Sequence, residues 1–166
     1  MDIHSTPALD LLLRGVLLGI AASALMDLWG LVLRRGFRIP TLDYALLGRW
    51  IGHMPRGRFT HARIGDARPV PGERALGWAA HYSIGIAFAL VLLGIWGLDW
   101  ARSPTVWPAL LVGLGTTAAP WLVMQPAMGV GFAASKSANP RATRLRNLAT
   151  HSVYGVGLYL AALALA

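Results

Sequence analysis

The stretch from Leu76 to Leu98 contains 23 residues without a single Asp, Glu, Lys or Arg. A helix needs about 20 predominantly apolar residues to cross the hydrocarbon core of a bilayer. Three further blocks are similarly apolar, at 9–33, 107–132 and 148–166. Charged residues make up 13% of the chain, against roughly a quarter in average soluble domains. The sequence therefore predicts an all-α fold, a four-helix transmembrane bundle that forms one membrane domain over residues 1–166.

The basic residues predict the orientation of these spans. Nine arginines lie in the loop 34–75, and four more basic residues lie between the last two spans. Cytoplasmic loops carry an excess of Lys and Arg, so we expect both loops in the cytoplasm and both chain termini in the periplasm of a bacterial inner membrane. Because the basic cytoplasmic loops account for the net charge of +8, we expect no nucleic-acid partner.

The first basic loop has a structure of its own in this prediction. Its apolar residues recur at helical spacing after Pro40, which indicates a short helix on the inner membrane surface: Leu42, Leu46, Leu47, Trp50, Ile51 and Met54. Four arginines follow, at positions 56, 58, 63 and 68. Such a cluster favours the headgroups of anionic lipids, so we expect contact with anionic lipids at the cytoplasmic face.

Two spans carry features that need an explanation. Arg14 follows Asp10 by one helical turn, which predicts an ion pair. Pro120 and Pro126 interrupt the third span and predict a kinked helix. Asp27 has no such simple explanation, because its short side chain lies well inside the first span. Ionisable residues inside a membrane are costly and tend to mark function.

The sequence also indicates an internal repeat. Residues 80–85 resemble residues 150–155, and each segment places a histidine (His81 or His151) four residues before a glycine. An offset of 98 residues aligns the first and third spans and sets Asp27 opposite Gln125. This internal repeat predicts two pseudo-symmetric helical hairpins of the same orientation, as in some transporters.

Three segments carry a resemblance to a known family: residues 49–59, 69–74 and 77–82, which read RWIGHMPRGRF, PVPGER and GWAAHY. They resemble a family of small four-span bacterial inner-membrane proteins that is classed only as a domain of unknown function. The resemblance extends over nearly the whole chain, including Met26-Asp27 and Thr150-His151. It implies four helices and a membrane location, and it implies no activity, substrate or cofactor.

Depth along the helices predicts a shared polar layer. Asp27, His81 and His151 each lie five to seven residues from an arginine at the inner end of their span, or roughly 8–10 Å at ~1.5 Å per residue. Gln125 joins them through its match to Asp27. We therefore expect a metal or ion site formed by Asp27, His81 and His151, with Gln125 in the same layer. The mouth of this site would be lined by three residues of the basic loop: His53, His61 and Glu73.

Different classes of function are compatible with this layer. In one, the site binds a cation, proton or metal and serves transport. In another, the protein is a membrane scaffold or assembly factor, and its polar residues hold helices together, acting with a membrane-protein partner or a second copy of the chain. Haem held by His81 and His151 is less favoured, because Asp27 and Gln125 would crowd the macrocycle. The chain has no cysteine and no nucleophile-elbow or phosphate-loop motif, so the sequence favours a non-enzymatic role.

The orientation can be tested by thiol labelling, because the chain has no cysteine of its own. A cysteine introduced at Ser103 should react with a membrane-impermeant reagent in intact cells, since we expect it in the periplasm. A cysteine at Ser137 should react only after the cells are permeabilised. Labelling of Ser137 alone in intact cells would reverse the predicted orientation.

Overall fold

The computed structural model describes residues 6–166, which are helical without strands. The helices are α1 (Pro7–Gly36), α2 (Tyr44–His53), α3 (Glu73–Arg102), α4 (Val106–Gly115), α5 (Gln125–Ala127) and α6 (Pro140–Leu165). Within this part of the chain, four segments are long and apolar enough to span a membrane: α1, α3, Val106–Ala127 (the third span) and α6. The four predicted spans are therefore confirmed, and so is the short helix in the first basic loop, which is α2.

The third span is one helix, Val106–Ala127, with a break in its α-helical hydrogen-bond pattern at Thr116 and Thr117. Helix α4 ends at Gly115, and the chain then turns at Thr116 and Thr117 before it resumes as a wide π-helical turn over Pro120–Met124 and as α5. Pro120 has no N–H group to donate to the carbonyl of Thr116, which accepts instead from the N–H of Ala119 at 3.1 Å. The span ends at Ala127 and not at the predicted Phe132, because the backbone reverses at residues of positive φ, beginning with Gly129.

The bundle is arranged around α1 and α6. Helix α1 packs against α3 and α6, α6 packs against α4, and α2 packs against α3. Leu18, Leu92, Leu93 and Leu158 are fully buried where these helices meet. Their positions fill the outer half of the bundle, towards the ends of α3 and α6 that we expect at the periplasmic side.

Glycines set the closest approaches between helices. Gly19 lies against α3, where a Cβ atom would lie 2.7 Å from the Ile86 nitrogen and 2.9 Å from the Gly85 oxygen. Gly113 of α4 lies against Gly155 of α6, where a Cβ would lie 2.6 Å from the Gly155 Cα. Small residues let backbones approach this closely in lipid. Each of the two hairpins therefore crosses at a glycine pair, while the internal repeat itself stays a prediction.

The charge near the start of α1 is paired as predicted. The Arg14 Nε donates to Asp10 Oδ1 at 3.0 Å, and its Nη1 donates to the Leu165 carbonyl at 3.0 Å. Arg14 thus satisfies a free carbonyl at the end of α6, and it lies far along α1 from Asp27.

The glycine contact at α1 predicts a large effect of substitution. Gly19→Leu should lower the free energy of unfolding by about 1–3 kcal/mol, because extra atoms must displace the α3 backbone. Gly94→Leu is the matched control, since nothing lies within 4 Å of a Cβ at Gly94. Thermal unfolding in detergent compares them, and an equal midpoint for the two variants would contradict the packing of Gly19.

Candidate functional site

A network of hydrogen bonds surrounds Asp27 inside the bundle. Its Oδ1 accepts from the Tyr44 hydroxyl at 3.0 Å, and its Oδ2 accepts from the Tyr82 hydroxyl at 2.9 Å. The His81 Nε2 lies 3.1 Å from Oδ1, with the His81 and Asp27 side chains 11% and 18% exposed. Both carboxylate oxygens therefore have partners, which offsets the cost of placing the group within the span.

The same contacts identify the proton on His81. The Tyr44 hydroxyl has one hydrogen, which it donates to Asp27, yet it also lies 3.2 Å from the His81 Nε2. Nε2 must then be the donor, shared between the Tyr44 oxygen and the carboxylate. The Nδ1 atom of His81 makes no hydrogen bond within residues 6–166 and is the free nitrogen of the ring.

Tyr44 reaches this network because α2 lies directly against α3. Gly48 contacts the Glu73 carbonyl, and Gly77 contacts the Tyr44 carbonyl, so neither position has room for a Cβ atom. The Tyr44 ring stacks on His81 with centroids 4.3 Å apart and lies 4.6 Å from Trp78. Burial, together with the neighbouring Asp27 carboxylate, raises the pKa of the Tyr44 hydroxyl, so that hydroxyl remains a donor at neutral pH.

The second histidine has a different partner. His151 Nδ1 lies 2.7 Å from the Thr116 Oγ1, which itself donates to the Gly113 carbonyl at 2.6 Å. Because the threonine hydrogen is already used, Nδ1 must donate to Oγ1. The Nε2 atom of His151 has no hydrogen-bond partner in the described chain. Each histidine is therefore held through one ring nitrogen and keeps the other free.

These groups line one cavity of about 1190 Å³, referred to below as the cavity. Its lining includes Asp27, His81, Gln125 and His151, the four residues of the predicted polar layer. His81, His151 and Thr116 also line a smaller cavity of about 70 Å³. The side-chain oxygen of Gln125 is buried without a hydrogen-bond partner among the residues described.

The metal site predicted from Asp27, His81 and His151 stays a prediction, and the three residues line one cavity. In the part of the chain from residue 6 onward, no three His, Cys, Asp or Glu side chains are arranged to hold a metal ion. The structure instead brings Asp27 and His81 into contact and places His151 on Thr116. Chemically, the arrangement offers two free imidazole nitrogens and a hydrogen-bonded carboxylate, on three residues that line the same cavity.

The three residues expected at the mouth are not among those that line the cavity in residues 6–166. Glu73 accepts from Arg49 at 2.7 and 2.9 Å and from the Val70 N–H at 3.0 Å. His53 lies 2.9 Å from the Arg68 carbonyl, and its ring centroid is 5.2 Å from that of His61. These contacts hold the basic loop together. The end of the cavity on the side of the basic loops (the mouth) is lined by Arg34, Arg74 and Arg146.

Sequence reasoning missed Tyr44, Tyr82 and Thr116 as members of the network. Tyr82 adjoins His81 in the repeated segment, and Tyr44 directly follows Asp43, which caps α2 by accepting from the Ala45 N–H at 2.9 Å. Tyr82 thus belongs to the repeated segment, and Tyr44 lies within the predicted interfacial helix. No signal in the sequence indicated that α2 would bring Tyr44 to Asp27.

The Tyr44 contact can be tested by removing one oxygen atom. Tyr44→Phe should lower the free energy of unfolding by about 1.5–3 kcal/mol, the range for a hydrogen bond to a charged group. Tyr159→Phe is the control, because the half-buried Tyr159 packs against the core and its hydroxyl has no partner in residues 6–166. Thermal unfolding in detergent measures both, and equal losses would mean that Tyr44 contributes by packing alone.

Comparisons with known proteins give one match. No curated protein and no solved structure matches the chain. A family model described as "Protein of unknown function (DUF2938)" matches residues 16–165, nearly the whole sequence. This agrees with the resemblance seen in the sequence, and the chain belongs to the DUF2938 family.

Proposed function

We propose that this integral membrane protein binds and releases a proton at the Asp27–His81 pair, and that this binding serves transport across the bacterial inner membrane. The observation that carries the proposal is the pair itself, with Nε2 of His81 held 3.1 Å from the carboxylate and Nδ1 left free. A carboxylate that holds one imidazole nitrogen orients the ring and stabilises the imidazolium. His151 offers a second proton acceptor on the same cavity.

A proton fits this site better than a metal ion does. Asp27 already accepts from Tyr44, Tyr82 and His81, which leaves about one of its four lone-pair sites for a metal ion. Nδ1 of His81 and Nε2 of His151 each need only a proton to gain a full set of donors. Haem is supported less, since Nε2 of His81 is already engaged by Asp27 and Tyr44.

The direction of access follows from the basic loops. With those loops in the cytoplasm, the mouth of the cavity opens inward, and the buried leucines at 18, 92, 93 and 158 close the bundle towards the periplasm. Arg56, Arg58, Arg63 and Arg68 are exposed, which supports contact of the loop with anionic lipids. In this proposal the protein is in an inward-facing state.

A scaffold role is the alternative, and one observation favours it. Asp27 joins α1, α2 and α3 through Tyr44, His81 and Tyr82, so the network could act only to hold the three helices. Polar contacts between membrane helices contribute ~0.6 kcal/mol on average. Under this alternative the same residues affect stability and nothing else.

Proton flux in proteoliposomes separates the two roles. We expect the wild-type protein to dissipate an imposed pH gradient, followed by a trapped fluorescent pH indicator, with valinomycin and K⁺ to balance charge. Asp27→Asn and His81→Gln should reduce the rate at least tenfold, because a general acid–base group typically contributes 10²–10⁴-fold. Asp10→Asn is the matched control, on the same helix and paired with Arg14.

Folding of each variant is checked by thermal unfolding. Loss of flux in folded Asp27→Asn and His81→Gln, with wild-type flux in Asp10→Asn, supports the proton site. Wild-type proteoliposomes that are no faster than empty liposomes, together with unfolding of both variants, would favour the scaffold.

A further inference from the structure

The cavity occupies a gap between two membrane segments. Helix α3 packs against α1 and α2, whereas within residues 6–166 it does not pack against the inner half of the third span, Pro120–Ala127. The basic loop holds that inner half in place, since the backbone N–H groups of His61 and Ile64 donate to the carbonyls of Ala127 and Met128 at 2.7 and 3.0 Å. Hydrogen bonds from the basic loop therefore hold the gap open as part of the folded structure.

The walls of the gap are apolar and open. Trp78 and Ile84 of α3 are 39% and 44% exposed, and Val123 of the third span is 58% exposed, although all three line the cavity. Further in, the lining includes Phe88 of α3. From Arg74 to Phe88 the cavity extends over about 21 Å of helix at ~1.5 Å per residue, more than half of the ~30 Å hydrocarbon core.

The mouth is positively charged. Arg34, Arg74 and Arg146 lie at the inner ends of α1, α3 and α6 and line the mouth. Arg34 and Arg74 are exposed and have no hydrogen bond or ion pair within the described residues. The Arg146 guanidinium donates to the Pro40 carbonyl at 3.1 Å, which fixes its position. Asp43 also lines the cavity, where one of its oxygens accepts from the Ala45 N–H. Its single negative charge against three guanidinium groups leaves the mouth net positive.

We propose that the cavity holds a phosphate-bearing amphiphile of net negative charge from the surrounding bilayer. Its phosphate binds Arg34, Arg74 and Arg146, whose guanidinium groups match phosphate oxygens, and its hydrocarbon chain fills the gap between α3 and the third span. The positively charged mouth accommodates an anionic headgroup, and the open apolar walls accommodate a hydrocarbon tail. The inference goes beyond the proton site and depends on different side chains.

Native mass spectrometry of the detergent-solubilised protein tests this directly. We expect one phosphatidylglycerol per chain to be retained under conditions that remove phosphatidylcholine and diacylglycerol. Arg34→Gln with Arg74→Gln should weaken phosphatidylglycerol binding about 20- to 30-fold. The control is Arg35→Gln with Arg141→Gln, which removes the same charge from exposed residues that do not line the cavity.

A second pair of variants tests the apolar part and leaves the arginines in place. Ile84→Trp should fill the gap and abolish retention, whereas Ile95→Trp on the same helix lies outside the cavity and should not. Equal weakening by the two arginine pairs, or equal retention of phosphatidylcholine, would overturn the proposal. Retention that is unchanged in Ile84→Trp, or competed away by inorganic phosphate alone, would show a free-anion site and likewise overturn it.

Discussion

The structure depends on how a carboxylate within a membrane span is satisfied. Asp27 lies within the membrane span with its side chain only 18% exposed, so its oxygens need donors from neighbouring helices. It obtains them from Tyr82 and His81 of α3 and from Tyr44 of α2. The last donor requires an interfacial helix to lie against a spanning one at backbone distance. The glycines at 48 and 77 make this approach feasible, so the positions of three helices follow from one charge.

The break in the third span forms part of the cavity wall that faces α3. The regular α-helical hydrogen bonding is interrupted at Thr116 and Thr117, and Thr116 lines the cavity. The Thr116 hydroxyl donates to the Gly113 carbonyl at 2.6 Å and so satisfies a group at the end of α4. The same oxygen accepts from His151. The break thus leaves the gap beside α3 and also orients the second histidine.

Sequence patterns predicted the structural features that depend on local composition and residue spacing. The four spans, α2, and the pairing of Arg14 with Asp10 follow from hydropathy and spacing, which the sequence displays directly. The mouth could not be predicted in this way. Glu73 lies near the correct depth, but it turns to Arg49, 24 residues away in sequence. Tyr44 was missed for the same reason, since contacts between a loop helix and a span depend on docking and not on periodicity.

The proposed proton site and the proposed phosphate site are close enough for their charges to interact. Asp27 and Arg34 are seven residues apart on α1, which corresponds to ~10 Å along the helix. Unit charges at that distance interact by about 1.7 kcal/mol at an effective dielectric constant of 20. A phosphate at the mouth and a proton on the Asp27–His81 pair would therefore place opposite charges on one cavity. By linkage, each changes the affinity for the other by the same factor, so a lipid at the mouth would regulate proton binding even without a change in structure.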